Sequence, residues 1–359
     1  MFFYIALALS PTIIYFLLPQ KLFGRNKDNQ RKFYLCIFGV CLFLMIALRH
    51  YAVGSPDSLN YYENWETLSA VSFDKFKSIA EEASMEYGYL FSVWIFSKIF
   101  IHPQWVFVLS GLIFTLAVCR FLYKNCGNLL LGTTMFVCLG LYTFMVQGLR
   151  QSIAMSICLF AIEFCKKRDF KGFLTFVFLV LFAAQYHQTA IVFLPMYFLY
   201  GKKLNSVWTL VILIGYAAIL FLSKYIIDFA NELFERDYND VVESGGLIAV
   251  AIYFIIIFFG LFLSKKEDRA DNDFSFFIFM TAIGAVVFLM RYFSALAAER
   301  ISFYFMFGQL IVLPNTGHKF ESKSKTILTT LIILLSVILF VYRLSSSELV
   351  PYLFFWQEV

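Results

Sequence analysis

Arg49, Asp57, Glu86, Arg150, His187, Arg291, Glu299 and Arg300 are the residues of this chain best placed to do chemistry, because they are expected to collect on one face of a membrane, most of them where an apolar segment meets a polar one. A guanidinium stays charged and presents a planar fork that grips phosphate oxygens in pairs. Four of them at membrane boundaries ask for an anion. A lipid diphosphate is the natural guest, and phospholipid head groups are the plainer one. His187 is a candidate general base near neutral pH, or a hydrogen-bonding orienter. Asp57 and Glu86 are candidate carboxylates for abstracting a proton or for orienting an arginine. Asp57, in Ser-Pro-Asp-Ser, is equally suited to capping a helix. Tyr61, Tyr62 and Trp65 follow closely; they would offer flat faces to sugars, or serve as an interfacial aromatic belt. The chain has no glycine-rich phosphate loop, no Cys/His metal spacing and no nucleophile elbow, so neither a metal nor a cofactor is expected.

The elements that must position these residues are apolar helices. Hydrophobic residues make up 61% of the 359 and charged residues 15%, against about 25% charged in soluble proteins. In lipid, helices and closed barrels are the folds that satisfy the backbone. An all-α, polytopic integral membrane protein follows, read as a single transmembrane domain over 1–359. The formal net charge of +5 is spread over short loops. Positive-inside topology accounts for it, and a nucleic-acid partner is not implied. The seven cysteines suggest no disulfide framework, and the first apolar run reads as a retained helix rather than a cleaved signal.

The clearest unit is a hairpin: QGLRQSIAMSICLFAIEFC, the basic turn KKRDFK, then GFLTFVFLVLFAAQYHQ. At 1.5 Å per residue each limb is about 25 Å long, close to the roughly 30 Å hydrocarbon core. The basic turn 166–171 belongs inside, which sends Arg150 and His187 to the outer face, where ionisable residues kept at membrane depth are functional candidates. The basic loop around Lys21 to Lys32 is inside as well, so the N-terminus is outside. The polar stretch 49–86, richer in acids than bases, is then extracytoplasmic. Parity of crossings requires that 87–101 not span. It contains Lys98, is shorter than about 17 residues and ends at His102-Pro103, so it reads as interfacial or re-entrant. Beyond the hairpin, apolar segments 188–200, 206–223, 247–263, 274–290, 301–314 and 326–343 alternate across the membrane. The loops 224–246 and 291–300 and the tail 344–359 lie outside. The total is about 12 transmembrane helices by hydropathy and charge bias.

Taken in order, Arg49 with VGSPDSLNYY, EYGY at 86–89, GLRQSIAMSI at 148–157, YHQTAIVFLP at 186–195, MRY at 290–292 and ERISFYF at 299–305 resemble the EpsG family of Wzy-like bacterial polysaccharide polymerases. The chain departs from the family's frequent G-T-D by an inserted proline in Gly54-Ser55-Pro56-Asp57. The resemblance implies a glycosyltransferase that joins oligosaccharide repeat units carried on undecaprenyl diphosphate. It would work without metal at the outer face of the bacterial cytoplasmic membrane, beside flippase and chain-length regulator proteins. In that reading Arg150, Arg291 and Arg300 hold the diphosphate. His187 or Asp57 takes the acceptor proton, Arg49 serves substrate or pairs with Asp57, and Glu86, Glu299 and Tyr61 support. A transporter or flippase of lipid-linked sugars is the rival reading; it would call for helix breaks or charges near mid-membrane and for internal symmetry. A membrane acyltransferase and a purely structural subunit fit the outward arginines less well.

Overall fold

The structure, a computed structural model, describes residues 1–18, 26–54, 57–83, 85–205, scattered positions from 207 to 232, and 247–264, 268, 271–292, 294–316, 322–345 and 347–358. The expected helix 206–223, the loop 224–246 and several inside cations (Lys21, Arg25, Lys265, Lys266, Arg269, Lys319) fall wholly or largely outside the described residues. The described residues are all-helical in class, and the chain divides into two compact units. One comprises Met1–Glu163, Val177–Ile191 and Ile327–Val359; the other comprises Phe164–Phe176 and Val192–Thr326.

The first unit is built on α1 (Phe2–Leu17), α2 (Lys27–Ala47) and α6 (Trp105–Asn125). Asn26 opens α2, its side chain accepting from the Asn29 N–H at 3.2 Å, which satisfies one of the orphan donors of the first turn. Helices α2 and α6 have 21 residues each, about 30 Å of rise and enough to cross a bilayer. They run antiparallel, as their end contacts show. At one end Arg31 Nη2 donates to the Tyr123 and Cys126 carbonyls at 2.9 and 2.8 Å. At the other, Gln104 Nε2 donates to the Ala47 and Arg49 carbonyls at 2.7 and 2.9 Å.

That Arg49 end collects much of the chain. The C-terminal tail returns to it, with the His50 N–H on the Leu353 carbonyl at 2.8 Å and the Phe355 N–H on the Leu48 carbonyl at 2.9 Å. Tyr352 of the tail packs on Phe3 and Tyr4 of α1. The sequence places the N-terminus, residue 49 and the tail on one side of the membrane, and here they are neighbours.

The polar stretch 49–86 is not a plain loop. It folds into α3 (Asp57–Ala70) and α4 (Phe73–Glu82), which with α5 (Tyr87–Ile99) enclose a core of Trp65, Leu68, Phe76, Tyr89 and Phe107. Helix α5 follows Glu86, with the Tyr89 N–H on the Gln185 carbonyl at 3.0 Å. It ends at Phe100, whose carbonyl accepts from Trp65 Nε1 at 2.9 Å, a few residues before Gln104 meets Arg49. Lys98 does not face lipid alone: its ammonium caps α3 by donating to the Ser69 and Val71 carbonyls, both at 2.7 Å.

Several expected helices are broken. Residues 129–147 form α7 (Leu129–Cys138) and α8 (Leu141–Gln147), bent by 49°. The break falls at Gly140, whose φ of 101° is a conformation glycine adopts without strain. Helices α9 (Leu149–Cys165) and α10 (Phe170–Ala184) form the hairpin. The segment 188–200 is a 3₁₀ turn, Gln188–Phe193, followed by the one-turn α11 (Met196–Leu199), with Pro195 at the junction.

In the second unit α12 (Leu247–Leu263), α13 (Asn272–Phe288) and α14 (Ala295–Met306) pack together, and the expected 301–314 helix breaks at Phe307-Gly308 before α15 (Gln309–Asn315). The basic turn is tied down within this unit. Lys166 Nζ and the Tyr200 hydroxyl both donate to the Asp273 carboxylate at 2.7 Å, and Arg168 Nη1 donates to the Tyr197 carbonyl at 3.0 Å. The last helix, α16 (Ser322–Leu344), is the most apolar of the long ones.

The sequence count of 12 spans is coarser in the structure. Among the described residues four helices are long and apolar enough to cross a membrane, and five if the bent α7–α8 pair counts as one. The segment 206–223 lies largely outside the described residues, and among the rest breaks at glycine and proline divide some segments while others stop at 15–17 residues.

Candidate functional site

The site forms around one carboxylate. Glu86 precedes α5 and is buried, its side chain 5% exposed. Its Oε2 accepts from Arg150 Nη1 at the start of α9, and its Oε1 accepts from the Gln188 N–H, where the 3₁₀ turn begins, at 3.2 Å. A buried carboxylate needs such partners, because an unpaired one carries a heavy desolvation penalty. One side chain therefore ties EYGY to GLRQSIAMSI and YHQTAIVFLP, through contacts 64 and 102 residues away in sequence.

Gly88 makes the tie possible. A Cβ there would sit 2.5 Å from Gln185 Cβ and 2.8 Å from the Gln185 carbonyl oxygen. Only glycine lets α5 dock so closely on the end of α10.

His187, adjacent to the Glu86-bound Gln188, is buried at 6% exposure, and its Nδ1 pairs with the Thr189 hydroxyl at 2.6 Å. That contact sets the orientation of the ring. Tyr61 and Tyr89 stack edge to face, with centroids 5.8 Å apart, and both lie against Arg150. Burial raises the Tyr61 phenol above its ordinary range, while the Arg150 charge pulls it back down. Two polar atoms here, Arg150 Nε and the Tyr89 hydroxyl, are buried without a hydrogen-bond partner. Buried polar groups are nearly always satisfied, so these two are candidates for meeting a ligand.

The other expected residues fall out differently. Asp57 is exposed at the first position of α3, where a negative charge suits the helix dipole. Arg49 does not pair with it. Arg49 is 1% exposed, donates to the Val53 carbonyl at 2.5 Å and the Ser58 hydroxyl at 3.0 Å, and lies over the Phe107 ring at 4.1 Å. Burial lowers its pKa to about 10, opposed by the hydroxyls of Tyr4, Tyr142 and Tyr352, so it remains charged at neutral pH. The arginine is enclosed by protein and pins the 49–58 turn to α6. Tyr61 and Trp65 are each 2% exposed, which removes both as sugar platforms. Tyr62 keeps a partly exposed ring beside Tyr51, at 4.8 Å.

In the second unit Arg291 Nη1 donates to Glu299 Oε1, joining the 3₁₀ turn Leu289–Tyr292 to α14, with Ser294 capping that helix through the Ala297 N–H at 3.2 Å. Arg291 Nε is a further buried atom without a partner, and Arg300 is partly exposed. No group of three metal-ligating side chains occurs among the described residues.

Sequence reasoning missed Gly88, Thr189 and the backbone N–H of Gln188. Gly88 was legible as the glycine of EYGY, whereas a backbone donor leaves no sequence signal.

No curated protein matches the chain, nor does any solved structure. The EpsG family model matches residues 32–354, which takes in the Glu86 tie, the Arg49 turn and the Arg291–Glu299 pair. The chain belongs to the EpsG family, a family of Wzy-like polysaccharide polymerases, and is a multi-pass membrane protein.

Proposed function

We propose that this protein joins oligosaccharide repeat units linked to undecaprenyl diphosphate, at the outer face of the bacterial cytoplasmic membrane. The observation that carries the reading is the Glu86–Arg150 pair with its Gln188 N–H. It gathers three of the family stretches around a guanidinium whose Nε has no protein partner.

In the reaction the acceptor sugar hydroxyl loses its proton to a base and its oxygen attacks the donor's anomeric carbon from the opposite face. The bond from that carbon to the diphosphate oxygen breaks, and its electron pair leaves with the diphosphate. Arg150 stabilises the charge that develops on the leaving group. Glu86 holds the guanidinium in place, and Tyr61 and Tyr89 pack beside it. Arg291, oriented by Glu299, and Arg300 are assigned to the same anion chemistry. His187, steadied by Thr189, is the preferred base, with Asp57 the other candidate. Arg49 acts through structure. No step calls for a metal. A flippase and a chain-length regulator are the expected partners.

The bend at Gly140 favours one alternative, a flippase of lipid-linked oligosaccharides, since transporters commonly use broken helices. Purified protein reconstituted with lipid-linked repeat units separates the two. Chain growth on a gel without another enzyme supports the polymerase. Units that change leaflet without growing support the flippase.

A further inference from the structure

His187 lies in the joint between two helical elements. Helix α10 stops at Ala184, residues 185 and 186 make a turn, and the 3₁₀ segment starts at Gln188. Two backbone bonds run through the joint, from the His187 N–H to the Ala183 carbonyl at 3.1 Å and from the Ala190 N–H to the His187 carbonyl at 3.0 Å. Neither regular ladder carries across it, so the position of the imidazole depends on what holds the residues on either side.

Three of those neighbours are held by one segment, 86–92. The Gln185 carbonyl accepts from the Tyr89 N–H at 3.0 Å, the Tyr186 hydroxyl lies 2.8 Å from Ser92 Oγ, and the Gln188 N–H donates to Glu86 Oε1 at 3.2 Å. Of the three, the Tyr186–Ser92 contact alone joins two side chains. Ser92 Oγ also lies 2.8 Å from the Gly88 carbonyl. A hydroxyl has one proton and two lone pairs, so both protons are used when Tyr186 donates to Ser92 and Ser92 donates to Gly88. That short chain ends on the glycine whose missing side chain lets α5 approach Gln185.

The Tyr186 ring already packs edge to face on Phe182, with centroids 5.6 Å apart, and against the core enclosed by α3, α4 and α5. A phenylalanine would pack as well. What the hydroxyl adds is direction. We propose that Tyr186 and Ser92 form a positioning pair for His187. Thr189 sets the rotation of the imidazole through Nδ1, and the Tyr186–Ser92 bond sets where the backbone beneath it sits, hence how closely the ring meets the acceptor hydroxyl. Neither residue touches the reacting atoms. The inference rests on the reading of His187 as the base.

Tyr186→Phe and Ser92→Ala, each in the purified and reconstituted full chain, test it. Either should lower kcat for elongation about tenfold, short of the roughly 100-fold that a full 1 Å misplacement can cost, with KM for the lipid-linked unit unchanged. The double variant should be no slower than the worse single one, because both remove the same bond. A second measurement needs no turnover: carbethoxylation of His187 by diethyl pyrocarbonate, mapped by mass spectrometry. It should speed up severalfold in either variant. His50, also 6% exposed and held by its own bond to Leu353, should keep its rate. Parent-like elongation by both variants overturns the proposal, as does an equal speeding of His50 and His187, which would mean general loosening. A raised KM at unchanged kcat overturns it too, since Tyr186 would then meet the substrate itself. If the parent protein shows no chain growth, the polymerase reading falls, and the His187 modification rate still decides whether Tyr186 and Ser92 hold that residue.

Discussion

Gly88→Ala is the sharpest test of how the site is assembled. The added Cβ would start 2.5 Å from Gln185 Cβ and 2.8 Å from the Gln185 carbonyl oxygen. Ordinary carbon contacts sit at about 3.5–4.0 Å, so α5 must retreat by roughly 1 Å from the end of α10. Overpacking of this kind costs about 1–3 kcal/mol. The Tyr89 N–H bond to Gln185, 3.0 Å long, stretches with it and adds about 1 kcal/mol. The larger effect is positional. Glu86 lies two residues upstream, so its grip on Arg150 and on the Gln188 N–H slackens together, and a displacement near 1 Å at a reacting centre can lower the rate about 100-fold. Chain growth by the reconstituted variant, read as product length and initial rate, should fall by about that factor while the protein still purifies folded. Gly215→Ala, where the new methyl meets nothing within 4 Å, is the control and should be unchanged. Gln185→Gly added to Gly88→Ala removes the closer of the two clashes and should restore part of the rate. Wild-type elongation by Gly88→Ala, with an unchanged melting temperature, would refute the docking role given to this glycine.

Other expectations follow from the same contacts. Arg150→Lys keeps the charge but loses the fork, so elongation should drop sharply in the gel assay with folding retained; normal activity would remove the bidentate role, and Arg291→Lys and Arg300→Lys put the same question in the second unit. His187→Ala should stop chain growth by about 10²–10⁴-fold while single lipid-linked units accumulate; His187→Gln should be as inactive if the imidazole takes the proton, and partly active if it only orients. Arg49→Met should lower thermal stability by about 2–3 kcal/mol through lost hydrogen bonds and ring contact, with any folded fraction keeping its apparent KM; a raised KM at unchanged stability would return Arg49 to the substrate. In a cysteine-free background an impermeant thiol reagent outside the cell should label a cysteine at 235 but not one at 168; the reverse pattern would invert the topology.

The sequence by itself determined the class of this protein, an all-helical multi-pass membrane protein. Hydropathy and cation bias are summed locally along the chain, so they single out apolar helices and a basic turn at 166–171 without knowledge of packing. Parity of crossings then required 87–101 to stay on one side. In the structure α5 meets the Gln185 carbonyl near its start and Trp65 of α3 at its end. The family stretches were legible as well, because glycine, arginine and histidine at apolar boundaries stand out by residue type.

What a side chain touches is decided by partners distant in sequence, and there only the tertiary structure spoke. Arg49 and Arg150 look alike as letters at helix boundaries. One is sealed between Phe107 and a tyrosine cluster, and the other keeps an unpartnered Nε beside Glu86. Tyr61 and Tyr62 are adjacent in sequence and face opposite environments, because a helix turns about 100° per residue and α3 buries one side against α5. Helix breaks at Gly140 and Phe307-Gly308 were hidden inside runs of even hydropathy, which measures apolar content and is blind to backbone direction.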